Sequence, residues 1–205
     1  SLRRLENDIL SEERKTSLGQ TAMQGMDAKS VGIQVSISQF YGIEINDFAV
    51  TVAKTALWIA ESQMMQETEK IVSLPLEFLP LKTNAFIVEG NALRTYWFDV
   101  VPKAKLNYIM GNPPFVGARL MEQGGTQKQE VKDIFGNIKD VQDLDYVTCW
   151  YKLAAQYIRD TQLQVCFVST NSISQGSQVP ILLNELYNNH HIHINFAYQT
   201  FKWSS

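Results

Sequence analysis

The sequence predicts an α/β protein built on a mostly parallel sheet with helices on both faces. Short apolar runs rich in β-branched residues alternate along the chain with helical stretches. One of those stretches carries small apolar residues suited to close packing on a sheet. Several of the runs end in polar residues, at the place where open α/β sheets bind ligands. A chain of 205 residues is one domain by length and can bury a sizeable core. Its 45% hydrophobic and 19% charged content is ordinary for a soluble α/β protein.

Residues 1–15 read as a helix, because Leu2, Leu5, Ile9 and Leu10 recur at helical spacing among charges. Residues 16–34 are polar, with Gly19, Gly25 and Gly32, and read as a linker. Residues 35–45 are strand-like, with Val35, Ile37, Phe40, Tyr41, Ile43 and Ile45. Asn46 or Asp47 then caps a helix reaching residue 66, whose Ala49, Val52, Ala53, Ala56, Leu57 and Ala60 suit a sheet-facing stripe. Residues 73–83, with Pro75 and Pro80, form a connector, and residues 85–89 a short strand ending at Gly90. The run from Leu106 to Gly111 is the next strand. Residues 116–140 form a long polar insertion with one short helix over 127–135. A helix over 144–159, a buried strand over 164–169, a polar loop over 170–177, a helix over 179–187 and a last strand over 191–198 complete the core, residues 35–205. No internal repeat is present.

Charge and cysteine content narrow the function classes. A net charge of −3 and a pI near 5.6 argue against this stretch gripping a phosphate backbone by itself, since that affinity comes largely from Lys and Arg. The two cysteines, Cys149 and Cys166, lie in apolar runs without metal spacing and read as buried reduced thiols. His190, His191 and His193 read as a helix end running into a strand, not as a metal site. The absence of a long apolar span and of an N-terminal signal pattern makes a cytoplasmic location the expectation.

The most informative segment is Asn112, Pro113, Pro114 and Phe115, directly after the Leu106 to Gly111 run. Neither proline can donate a ladder hydrogen bond, and each fixes φ near −65°. Residues before proline are pushed out of the α region, so Asn112 and Pro113 are both held extended. The Asn112 side chain and the Pro113 carbonyl are thereby presented rigidly beyond the strand end. Two acceptors in fixed register, followed by an aromatic, suit a planar amino group on a ring or carbonyl. Such a nitrogen is a poor nucleophile because its lone pair is delocalised. Acceptors taking its two N–H bonds favour a more pyramidal nitrogen with a freer lone pair. This chemistry needs positioning and electrostatics, with no general base and no metal.

Leu106 to Phe115 resembles motif IV of the amino-methyltransferases that use S-adenosylmethionine, in the Asn-Pro-Pro-Phe form of N6-adenine DNA methyltransferases. The resemblance implies a Rossmann-like class I methyltransferase sheet and transfer of a methyl group from S-adenosylmethionine to a flipped-out adenine. It makes Asn112, Pro113, Pro114 and Phe115 the catalytic set, with Phe115 stacking on the base. Glu44 stands where a strand-end acidic residue accepts hydrogen bonds from ribose hydroxyls, and Ile45 can cover one face of the cofactor's adenine. Glu89 to Ala92 resembles motif III, so Asn91 and the Ala92 amide would read the adenine edge, although many relatives carry Asp at the Asn91 position. Residues 145–151 and 165–172 are similar to the fifth and sixth motifs, with mostly structural roles and with Asp145 and Tyr146 lining the target pocket. Arg119, Lys128, Lys132 and Lys139 of the insertion would lie near DNA.

One family element has no counterpart: the eleven glycines nowhere form a G-x-G-x-x-G pattern. Residues 1–6 instead resemble the helix just after that glycine-rich loop in type IIG restriction-modification enzymes, and residues 200–204 the segment before the last family motif. The reading is therefore a partial catalytic domain without the central first strand. Two strand edges would be left unpaired, predicting weak or no cofactor binding and self-association through those edges. Double-stranded DNA would be held mainly by a separate target-recognition domain. Two rivals remain: a protein glutamine N5-methyltransferase, whose motif usually carries Tyr where this chain has Phe115, and a non-catalytic methyltransferase-like scaffold.

Overall fold

The computed structural model describes residues 2–16, 32–73, 84–123 and 125–198, in two compact units, Ser1–Thr95 and Tyr96–Ser205. Most of the 16–34 linker, nearly all of the 73–83 connector and the 200–204 segment lie outside the described residues.

In the first unit, helix α1 (Leu2–Thr16) packs on helix α2 (Asp47–Val72). The buried Arg3 guanidinium donates to Asn7 Oδ1 at 3.0 Å and to Thr68 Oγ1 at 2.7 Å. The Glu6 carboxylate accepts the Gln34 and Val35 amides at 2.8 and 2.9 Å. These bonds tie the chain that enters the sheet to α1. The strand expected over 35–45 is shorter, β1 (Tyr41–Glu44), because a 3₁₀ turn, Ile37–Gln39, precedes it. Ser36 and Gln39 cap that turn reciprocally, and such local side-chain bonds compete with a ladder.

Asn46 caps α2 by accepting the Ala49 amide at 3.0 Å. The helix runs six residues beyond the expected end, since buried Met65, Thr68 and Val72 belong to its last turns. Val50 is buried and Ala49, Ala53 and Leu57 half-buried, whereas Val52, Ala56 and Ala60 of the expected stripe are exposed. Strand β2 (Phe86–Glu89) runs parallel to β1, with Tyr41 opposite Phe86 and Glu44 opposite Glu89. The Tyr41 and Phe86 rings stack at 5.1 Å.

The second unit contains α3 (Trp97–Val100), β3 (Tyr108–Gly111), α4 (Thr126–Phe135), α5 (Thr148–Ile158), β4 (Gln164–Phe167) and α6 (Gln178–Asn184). The last helix passes into a single π turn, Glu185–Asn189. β3 and β4 pair in parallel, Tyr108 with Gln164 and Gly111 with Phe167. Ile109, Val165 and Phe167 are half-buried, and the Phe167 ring meets Tyr151 edge-on at 5.3 Å. The opposite face carries exposed Tyr108, Met110 and Cys166, so β4 is not the fully buried strand expected. α5 supplies the core of this unit through Cys149, Ala154, Ala155, Tyr157 and Ile158, with Leu182 and Leu186 packed on Ala155.

Three further expectations change. The helix expected from residue 144 begins at Thr148, because the Tyr146 amide is taken by the Val116 carbonyl at 2.9 Å. Residues 191–198 form no strand: no ladder pairs them among the described residues, and backbone groups need such a partner to make one. Cys166 is exposed, while Cys149 is buried as expected; both are free thiols. Among the described residues no group of three His, Cys, Asp or Glu could hold a metal, and no helix is long and apolar enough to cross a membrane.

Candidate active site

Each parallel strand pair carries its candidate residues at its carboxyl end. In the first unit the aligned ends of β1 and β2 bring Glu44 and Asn91 to the same end of one sheet, where the Gly90 amide donates to the Glu44 carbonyl at 2.8 Å. Glu44 is half-exposed, and one carboxylate oxygen accepts the Asn46 amide at 3.2 Å. Ile45 beside it is 68% exposed, an apolar surface free to meet a ring. A Cβ on Gly90 would sit 2.8 Å from Thr95 Oγ1, so only glycine fits there without displacing the turn that follows.

In that turn the Asn91 carbonyl accepts the Arg94 and Thr95 amides and the Thr95 hydroxyl. The Asn91 side-chain carbonyl accepts the Leu93 amide at 2.9 Å, an Asx turn. Asn91 thus shapes the segment carrying Ala92, a structural role the sequence did not reveal.

In the second unit β3 ends at Gly111, where an added Cβ would press to 3.1 Å from the Phe167 ring. Asn112 follows, exposed, with no hydrogen bond from its side chain to a described residue. Pro113 is buried and anchors the turn, and its carbonyl accepts no backbone hydrogen bond among the described residues. Phe115 is 40% exposed. Two acceptors unengaged among the described residues and an exposed ring therefore stand at one rigid strand end.

Behind that strand end lies a polar hub that only the folded chain assembles. Asp145 is buried. Its Oδ1 accepts the Ala118 amide at 2.7 Å, and its Oδ2 accepts the Ser172 hydroxyl and, at 2.8 Å, Gln178 Nε2. Asp145 also borders an open cleft of about 310 Å³ with Gly117, Ala118, Thr170 and Ser172. Tyr146 does not line it: the ring turns inward and the hydroxyl donates to Glu130 at 2.5 Å. A larger cleft, about 490 Å³, lies at the opposite, amino ends of β3 and β4 around Asn107 and Gln164. Volume alone would favour the larger one. The smaller borders the loop leaving Phe115 and the loop after β4, where parallel sheets carry their chemistry, and is the better candidate.

The chain is similar to known proteins over most of its length. DNA methyltransferase A of Bacillus subtilis is 45% identical over 174 residues, covering 83% of this chain and 20% of that protein. The solved structure of the type IIL restriction-modification enzyme MmeI in complex with DNA is 39% identical and superposes with a TM-score of 0.85, over 100% of this chain and 26% of that one. The chain thus spans about a fifth to a quarter of the length of these relatives. The sequence pattern of the MmeI DNA-methyltransferase domain matches residues 1–205, and the chain belongs to that family.

Proposed function

We propose that this chain is the part of a DNA adenine-N6 methyltransferase that holds the target amino group, within a restriction-modification system and a class I, Rossmann-like catalytic domain. The observation that carries the reading is the β3 end: Asn112 with no side-chain hydrogen bond to a described residue, the rigid Pro113 carbonyl and exposed Phe115. Asn112 Oδ1 and the Pro113 carbonyl accept the two N–H bonds of the amino group. This draws its lone pair out of conjugation and fixes its direction; that nitrogen would take the methyl of a bound cofactor as the C–S bond breaks, and would then lose one proton. Phe115 stacks on the extruded base, an interaction of about 1–3 kcal/mol in comparable base–aromatic contacts. Phe115 also favours adenine over a glutamine amide, whose flat surface is smaller.

The residues of the first unit fit the adenosine part of S-adenosylmethionine. Glu44 offers carboxylate acceptors for ribose hydroxyls, and Ile45 an exposed apolar face for the ring. When bound, that cofactor supplies an electrophilic methyl group. Duplex DNA is the proposed partner, with Arg119, Lys128, Lys132 and Lys139 of the insertion near it. A net charge of −3 leaves most of the grip to a separate recognition domain. A cytoplasmic setting accords with free thiols and a DNA substrate.

The test is Asn112→Ala in the intact enzyme that carries this domain. Methyl transfer from tritiated cofactor to duplex DNA should be abolished while calorimetric cofactor binding stays intact. Retained transfer would refute the assignment.

A further inference from the structure

We infer that Asp145 is a positioning residue for the target half of the site, a role that rests on the methyltransferase reading of Asn112 to Phe115. The chain leaving Phe115 has a rigid side and a free side. Upstream, Pro113 and Pro114 restrict it. Downstream, Val116 and Gly117 lead into the insertion without regular structure. Two bonds close the free side: the Tyr146 amide donates to the Val116 carbonyl at 2.9 Å, and the Ala118 amide to Asp145 Oδ1 at 2.7 Å.

The same carboxylate reaches the loop after β4. Its Oδ2 accepts the Ser172 hydroxyl and the Gln178 side-chain amide, while Gln178 Oε1 accepts the Asp145 backbone amide at 3.0 Å. Gln178 Nε2 also donates to the Ser172 carbonyl at 2.9 Å. One buried group thus joins the segment after Phe115, the entry to α5 and the loop after β4. No Lys, Arg or His forms an ion pair with it among the described residues, so neutral donors alone satisfy the charge. Charge-assisted bonds of this kind are shorter and stronger than those to an amide. A buried carboxylate that joins the segment after Phe115 to the loop after β4 is the arrangement expected where the position of those segments, not merely their presence, matters for the chemistry.

The experiment compares Asp145→Asn with wild type in the intact enzyme, on the duplex it methylates. The substitution keeps the volume and one acceptor but turns an N–H₂ toward two donors. Turnover should fall about 10–100-fold, the scale set by misplacing a reacting group by a fraction of an ångström to an ångström. Cofactor affinity and melting temperature should stay near wild type. With 2-aminopurine at the target position, Asp145→Asn should shift the fluorescence of the extruded base in the same direction as Phe115→Ala. Ser172→Ala, which removes one donor only, should move both readouts the same way by less, and it carries the test if Asp145→Asn fails to fold. Unchanged turnover, or a loss that follows melting temperature and cofactor affinity with no change in the base signal, overturns the proposal. Asn112→Ala runs beside it: retained transfer there defeats the methyltransferase reading, whereas its loss with normal Asp145→Asn turnover defeats the positioning role alone.

Discussion

Cofactor affinity should turn on Glu44, because its carboxylate is the charged acceptor at the end of β1. Hydrogen bonds to a charged group contribute about 1.5–3 kcal/mol each, so Glu44→Ala in the intact enzyme should weaken S-adenosylmethionine binding by about 10–100-fold. Isothermal calorimetry measures this directly, and an unaltered dissociation constant would remove Glu44 from the site. Asn112 should behave oppositely, losing turnover and keeping affinity. The thiols separate by environment. Burial, with the nearby Glu130 charge adding to it, pushes the Cys149 thiol up to about 12, so it stays protonated and inert at neutral pH. Cys166 is exposed. A maleimide titration of the folded 205-residue chain should therefore find one reactive thiol, the second appearing only in denaturant. Two reactive thiols without denaturant would contradict the packing of α5.

Between elements, the buried Lys152–Glu185 pair joins α5 to the π turn at 2.8 Å. Burial by itself raises the Glu185 pKa. The hydrogen bonds from Lys152 and Asn189 and the charges of Lys152 and His190 together outweigh it, and the net shift is downward. A carboxylate whose folded pKa lies below its unfolded value stabilises the fold above the unfolded pKa. That contribution is lost as the pH falls through the folded value. The melting temperature of the 205-residue chain should therefore drop as the pH falls below the ordinary glutamate range. Glu185→Gln should lower the stability at neutral pH by about 3–5 kcal/mol, because the buried Lys152 loses its counter-charge, and should lose that part of the acid dependence. Parallel melting curves for the two proteins across the acid range would refute the pairing. The start of α2 was legible in Asn46, since a cap is a local signal. Its end was not, because the last turns are held by Arg3 reaching Thr68, a contact between residues 65 apart. The strand expected over 191–198 failed for a related reason: its apolar pattern was present, but a strand exists only with a partner.

For the molecule as a whole, two two-stranded parallel sheets among the described residues leave every strand with an unpaired edge. Large apolar side chains stand exposed beside them, among them Phe86, Tyr108 and Met110. Unpaired edges and apolar faces are templates for association, so the 205-residue chain should self-associate in a concentration-dependent way by sedimentation. A stable monomer at all concentrations would count against this. Because the eleven glycines form no G-x-G-x-x-G loop to approach the methionine part of the cofactor, the same chain should bind S-adenosylmethionine weakly, and micromolar affinity by calorimetry would overturn that expectation. What the sequence determined alone was local: the α/β alternation, the Asn46 cap, and the β3 end at Asn112 to Phe115, whose double proline dictates its own backbone. Only the tertiary structure decided the rest. It turned Tyr146 inward, gave the Asn91 side chain to its own turn, and gathered Ala118, Asp145, Ser172 and Gln178 into one hub. Those outcomes depend on which distant donor meets which acceptor, and no spacing along the chain encodes that meeting.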